Sequence, residues 1–369
     1  MTTTPVFTRY LYLKDDVEIS LLSSLLHKQR EKAMFWGYEL YHSGFIDDVL
    51  VVLWRAYYEC YAMLNPTFES YMKKKQNELK EREDGIEYFV GLYIHNIITR
   101  KFNLDVFMLR EISMHLEIDE DDAKLTLEER FEGNKYQAIV HIICEECISL
   151  EECQEMAKKA TQYFKKKGVK NLKLLQNLEC DGIQPAVILV SRIMHYFTIL
   201  TKETNKIKMG KNIYLVLEPD EIVKYRTIET DYPNESGEDV LKRTAIYSSN
   251  EHNYLSLFKS DHPENIWKHY HSNWIYYAGL YTQLWNERIL EYGGHIDEDE
   301  QKVHWENEDF EEIFYNLYGY NPEEQPTEIQ QNNIPIMKDR NQVTWRWFYE
   351  KHMNQRLYIP DDDFLDALE

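Results

Sequence analysis

Residues 7–66 read FTRYLYLKDDVEISLLSSLLHKQREKAMFWGYELYHSGFIDDVLVVLWRAYYECYAMLNP, and this stretch decides the fold. Val17, Leu21, Leu22, Leu25 and Leu26 recur at helical spacing, which predicts a first helix. Asp15 followed by Glu18 has the spacing of a capping box at its start. A second helix runs through Ala33, Met34 and Leu40 and stops near Gly44, a residue free to take the left-handed conformation of a C-terminal cap. A third begins near Asp47 or Asp48, where acids suit the positive end of the helix dipole. It carries Val49, Val52, Leu53, Ala56, Tyr57, Tyr61 and Leu64 on its apolar side, and Pro66 ends it. Three helices joined by short turns form an array, with Phe35, Trp36, Tyr38 and Trp54 among its core aromatics.

Outward from that stretch, more helices follow. Ile86–Arg100 and Val106–Leu116 are apolar enough to be buried, and Tyr136–Ile148 is another. Ser149 with Glu152 opens a helix to Lys167, closed by Gly168. Pro185 suits the first turn of a helix reaching Lys202. The texture changes there: Ile213–Leu217 predicts a strand, with Ile222–Ile228 as its hairpin partner across Pro219. A polar segment near 229–242 is expected to be a mobile loop. Helices are expected at Glu264–Ala278, Thr282–Tyr292, Glu308–Tyr318 and Val343–Met353, with a loop at Pro322–Pro335 and a frayed acidic end at Asp361–Asp363. The fold class is therefore mainly α: an irregular or solenoid-like helical array (residues 1–201), then a smaller α+β C-terminal part (202–369) with a short β-hairpin. No fixed repeat period emerges.

The chain has 369 residues, room for two domains, and a formal net charge of −22. That charge opposes broad nucleic-acid or anionic-membrane binding and leaves basic protein partners open. Five cysteines are too few and too unevenly placed for a disulfide scaffold, so a reduced, intracellular protein is expected. Met1–Pro5 has neither the basic start nor the apolar run of a signal peptide. No uncharged run is long enough for a membrane span, and no membrane partner is expected.

Chemistry-bearing motifs are sparse. Cys144-x-x-Cys147, with His141 and Cys153 nearby, has zinc-ligand spacing but falls inside a predicted helix with no second pair. His269 and His271 are the candidate metal ligands; they converge on one ion only if their segment is extended, because helical residues two apart face different ways. Pro219-Asp220-Glu221 with Lys224 lacks the Glu-x-Lys spacing of a nuclease core. Phosphate-binding loops and hydrolase motifs are missing, and no cofactor is expected. Lys202, Lys206, Lys208 and Lys211 line a basic link that offers contact to a phosphate backbone, with Tyr214 beside it to stack on a base. Trp267, Tyr270, Trp274 and Tyr277 recur at helical spacing and are the candidate partner-binding residues, since Trp and Tyr supply large contact area with a polar handle.

Several phrases form one ordered set: Phe7-Thr8-Arg9-Tyr10-Leu11-Tyr12, Phe35-Trp36-Gly37-Tyr38-Glu39-Leu40-Tyr41 with Ser43-Gly44-Phe45, Leu255-Ser256-Leu257-Phe258, Trp285 with Arg288-Ile289, and Tyr318-Gly319-Tyr320 with Pro322-Glu323-Glu324-Gln325. On these the chain resembles an uncharacterised family encoded by nucleocytoplasmic large DNA viruses, the giant viruses. The resemblance implies a viral protein in the host cytoplasm, viral factory or virion, and transfers no functional residue. The expected function is a non-enzymatic protein–protein interaction or structural role. The alternatives are a regulatory subunit of viral transcription or replication machinery, and a metal-dependent enzyme using the histidine-rich C-terminal segment.

Overall fold

A computed structural model of the chain describes residues 4–226, 237–258, 260, 262–336, 343–353, 355–360 and 362–368. Among them the chain is mainly helical, with one two-stranded antiparallel sheet in its C-terminal part.

Three helices open the chain: α1 (Lys14–Leu26), α2 (Arg30–His42) and α3 (Ile46–Ala56). Gly44, at φ +90°, ends α2 as expected. The Phe45 N–H reaches Leu40 O and the Gly44 N–H reaches Tyr41 O, both at 3.0 Å, so two of the helix's last carbonyls are satisfied. The start of α1 differs from expectation. Its N-cap is Leu13 and no side chain caps it, so Asp15 lies inside the first turn. The Lys14 N–H bonds Val6 O at 2.9 Å, and Asp15 and Asp16 act on the helix dipole instead. Beyond Ala56 the helix widens into a π-helical turn, Tyr57–Tyr61, where Ala62 N–H bonds Tyr57 O at 2.7 Å.

Two compact units emerge, each gathered from three chain segments. The first takes residues 1–50, 82–95 and 216–343; the second takes 51–81, 96–215 and 344–369.

In the first unit the centre is the short N-terminal turn between Phe7 and Leu13, which pair as an antiparallel bridge. Phe7, Leu11 and Tyr12 have no exposed surface. Later segments close on its backbone: Thr282 Oγ1 donates to Phe7 O (2.8 Å), Trp285 Nε1 to Arg9 O (3.1 Å) and Asn333 Nδ2 to Tyr10 O (2.6 Å). Trp36 is 2% exposed and meets Tyr12 edge-on at 4.9 Å. The helix Gly85–Ile97 crosses α2 closely at Gly37, where a Cβ would come within 2.5 Å of Ile94 Cδ1.

The second unit stacks helices Phe68–Leu79, Asp105–His115, Tyr136–Glu146, Leu150–Lys166 and Pro185–Thr201. Ser149 and Glu152 form the expected capping box, and Thr126 with Glu129 forms another. Two buried cations are paired: Arg192 Nη2 donates to both Glu69 oxygens at 2.9 Å, and Arg110 meets Glu59.

The hairpin lies elsewhere than expected. Residues 213–217 are not a strand, because polar side chains take up the backbone groups a partner strand would need. Asn96 donates to Leu215 O (2.9 Å) and accepts from Leu215 N (2.7 Å), while Arg100 donates to Lys211 O and Ile213 O. Asp220–Val223 is a helical turn rather than a strand. The observed pair is β1 (Gly294–Asp297) and β2 (Lys302–Trp305), with His295 opposite His304. The expected 264–278 helix is two, Ile266–Ser272 and Trp274–Tyr281, broken at Asn273 (φ −141°). Thr327–Asn333 is a helix inside the expected 322–335 loop, and Asp363–Asp366 forms a helical turn at the acidic end. Of the expected loop at 229–242, residues 229–236 lie outside the described residues and Gly237–Thr244 is a helix.

Candidate functional site

A half-open cavity of about 180 Å³ lies within the first unit. The N-terminal turn brings Arg9 and Tyr10 to it. α2 brings Glu31 and Phe35, one turn apart on the same face. Lys224, Tyr225 and Arg226 follow the Asp220–Val223 turn, and Arg243 lies in the last turn of Gly237–Thr244; both segments reach the same wall. Tyr247 supplies a further ring.

Four cations therefore converge in a strongly acidic protein. Arg9 is 2% exposed and held from two sides: Nε donates to Glu39 Oε2 at 2.9 Å and Nη2 to Tyr225 O at 2.8 Å. Its Nη1 is buried and makes no hydrogen bond. Glu39, fully buried, spends its other oxygen on the Tyr10 N–H at 3.0 Å. Arg226 forks onto Glu87 with both bonds at 2.7 Å, and Lys224 pairs with Glu31 at 3.2 Å. Behind this wall burial, joined by the charges of Arg9 and Arg226, pushes the His42 imidazole down to about 3. The nearby Glu87 carboxylate, 3.5 Å away, is already engaged by Arg226. Three of the four cations are thus already paired with carboxylates, beside the aromatic surface of Phe35, Tyr225 and Tyr247.

None of these basic residues stands out in the sequence as a site. Arg9 is preceded by Phe7 and followed by Tyr10, Leu11 and Tyr12, so a charged residue in an otherwise buried pattern is the one local signal. Its partners lie 30 and 216 residues away.

The sequence candidates are placed as follows. His269 and His271 sit on the helix Ile266–Ser272; His269 meets the Tyr277 ring at 4.9 Å and His271 Nε2 lies 3.0 Å from Gln330 Oε1. Asp297, Glu300 and His304, on and beside the β-hairpin, are the trio among the described residues whose ligand atoms come within 4.8 Å of one another. They are half-buried to exposed, and His304 lies 3.2 Å from Glu300. Tyr270, Trp274 and Tyr277 are packed inside, and Trp274 stacks on Tyr320 at 5.7 Å; Trp267 is half-buried against His271. Lys202, Lys206, Lys208 and Lys211 are exposed, but Tyr214 is already stacked on Tyr71 at 3.5 Å and lies under Arg100. Cys147 is buried at the end of its helix and accepts at its carbonyl from Cys153 Sγ (3.8 Å); burial raises the thiols of Cys144, Cys147 and Cys153.

One helix presents apolar surface to solvent. On Glu308–Tyr318, Phe314 points inward with no exposure, whereas Phe310, Ile313 and Leu317 follow one face and are 40–45% exposed. Exposed Asp309 and Glu312 lie beside them. No helix among the described residues is long and apolar enough to cross a membrane. No family model, no curated protein and no solved structure matches the chain.

Proposed function

We propose that the chain is a non-enzymatic interaction protein that docks a basic, amphipathic segment of a partner on the helix Glu308–Tyr318. The observation that carries this is the exposed stripe of Phe310, Ile313 and Leu317, which flanks the buried Phe314 on the same helix. Three large apolar side chains at i, i+3 and i+7 form a ready contact face for a second helix. Acids in the first turn (Glu308, Asp309, Glu311) and exposed Glu312 select a positively charged partner, and the chain's net charge of −22 adds long-range attraction. The giant-virus resemblance supports a role in the virion or viral factory.

The test compares tagged wild-type chain with the double variant Ile313→Asp, Leu317→Asp, captured from infected cells and read by mass spectrometry. Both side chains are exposed, so the variant keeps its fold. A partner with a basic amphipathic segment, recovered in steady ratio by the wild type and lost from the variant, supports the reading. Identical recovery by both forms removes it.

A further inference from the structure

We propose that the outer face of the β-hairpin binds a divalent transition metal of the zinc type, with His295, Asp297, Glu300 and His304 as its four ligands. This goes beyond the docking face and does not depend on it.

Strand register is the first argument. Side chains alternate along a strand, and residues directly opposite one another share a face. β1 pairs with β2 so that His295 stands opposite His304 and Asp297 opposite Lys302. His295, Asp297 and His304 therefore project from one side of the sheet. Ile296 and Trp305 project from the other side, and that side is packed. The Trp305 ring lies 4.6 Å from Phe314, and a Cβ at Gly279 would come within 3.1 Å of Ile296 Cδ1. The donors are thus carried by a sheet anchored from behind.

Geometry is the second. Asp297 Oδ1 accepts the Glu300 N–H at 2.8 Å, and its other oxygen, Oδ2, lies 3.9 Å from His304 Nε2. Glu300 Oε2 lies 3.2 Å from the same nitrogen. Donor atoms on one tetrahedral zinc are roughly 3.3–3.5 Å apart, so these three need little movement to share an ion. The His295 ring stacks beside the His304 ring, centroids 5.4 Å apart, and supplies the fourth donor.

Donor chemistry is the third. Two imidazole nitrogens with two carboxylate oxygens suit zinc and its neighbours, whereas magnesium and calcium prefer oxygen alone. Exposed Glu298 and Asp299 in the turn add negative potential that draws in a cation. Four protein ligands leave no open position, so the metal acts as a staple across the two strands rather than as a catalyst.

The experiment is calorimetric titration of the full purified chain, first stripped with a chelator, with zinc chloride, cobalt chloride and magnesium chloride. Zinc is expected to saturate one site per chain with a dissociation constant on the order of a micromolar, at least about a hundred-fold tighter than magnesium. Affinity should fall about ten-fold or more in His304→Ala and in Asp297→Asn. Both side chains are partly open to solvent, and asparagine keeps the acceptor for the Glu300 N–H. Circular dichroism confirms that each variant is folded. The cobalt-loaded chain should show visible bands without the near-ultraviolet charge-transfer band of a thiolate ligand, which separates this site from Cys144 and Cys147. Four results overturn the proposal: no saturable zinc binding at 100-fold excess over a micromolar, equal affinity for magnesium, a thiolate charge-transfer band, or zinc affinity unchanged in either folded variant.

Discussion

The Asp105 Oδ1 oxygen accepts the phenol hydroxyl of Tyr349 at 2.6 Å, deep inside the second unit. The other oxygen, Oδ2, takes the backbone N–H groups of Leu357 and Tyr358, both at 2.7 Å. One buried carboxyl therefore holds Tyr349, Leu357 and Tyr358 of the C-terminal segment. Tyr349→Phe removes a single hydrogen bond to that group and should lower unfolding free energy by about 1.5–3 kcal/mol in urea titration. Asp105→Ala should do more, since it strands two backbone donors as well. A Tyr349→Phe protein as stable as wild type would show that the bond contributes nothing.

The neutral His42 sets a pH prediction. Its folded-state value lies near 3, below the ordinary histidine value of about 6.5. Between those two values the unfolded chain binds a proton that the folded chain refuses, so stability is lost as pH falls through the window. Replacing His42 by Gln should flatten the fall in urea midpoint between about pH 6.5 and 4.5. Parallel pH profiles for the two proteins would mean that His42 does not carry the effect.

Trp36, packed between Tyr12 and Phe35, is a core residue of the first unit. Trp36→Ala should cost about 3–5 kcal/mol. Trp347, 41% exposed, is the matched control, and Trp347→Ala should cost far less. Thermal melts of the pair distinguish burial from aromatic content.

Two similar sequence patterns should respond differently to alanine. Ser149→Ala removes a cap whose Oγ receives the Glu152 N–H, and should cost about 0.5–2 kcal/mol. Asp15→Ala touches an exposed residue that caps nothing, and should stay within about 0.5 kcal/mol. Equal losses would restore Asp15 to a capping role.

That contrast shows what local sequence can and cannot carry. Ser149 with Glu152, Gly44, Gly168 and Pro185 marked helix ends correctly, because each acts on backbone groups within one turn of itself. The helix at Glu308–Tyr318 was also expected and is present with those bounds. Asp15 misled because the preceding turn already supplies a backbone carbonyl, Val6 O, to the first helical N–H. The strand at 213–217 misled because side chains of Asn96 and Arg100, more than a hundred residues earlier, fill the role of a neighbouring strand. The cavity was illegible for the same reason: Arg9 becomes a wall residue only through Glu39 and Tyr225. Side chains that complete one another across such distances leave no periodicity to find.

The interleaving of the two units has a consequence for how the chain is made. The first unit draws on residues up to 343, and the second on residues up to its end. The newly made N-terminal turn therefore waits for its later partners, such as Trp285 and Asn333, while some 320 further residues (13 to 333) are added. At about 5–20 residues per second, that wait is roughly 15–60 s. During it the apolar faces of α1 and α2 lack the segments that later cover them. Neither unit can close until its last segment has been made, no single cut in the gene yields either one whole, and helpers that shield exposed helices during synthesis should raise the yield of native protein.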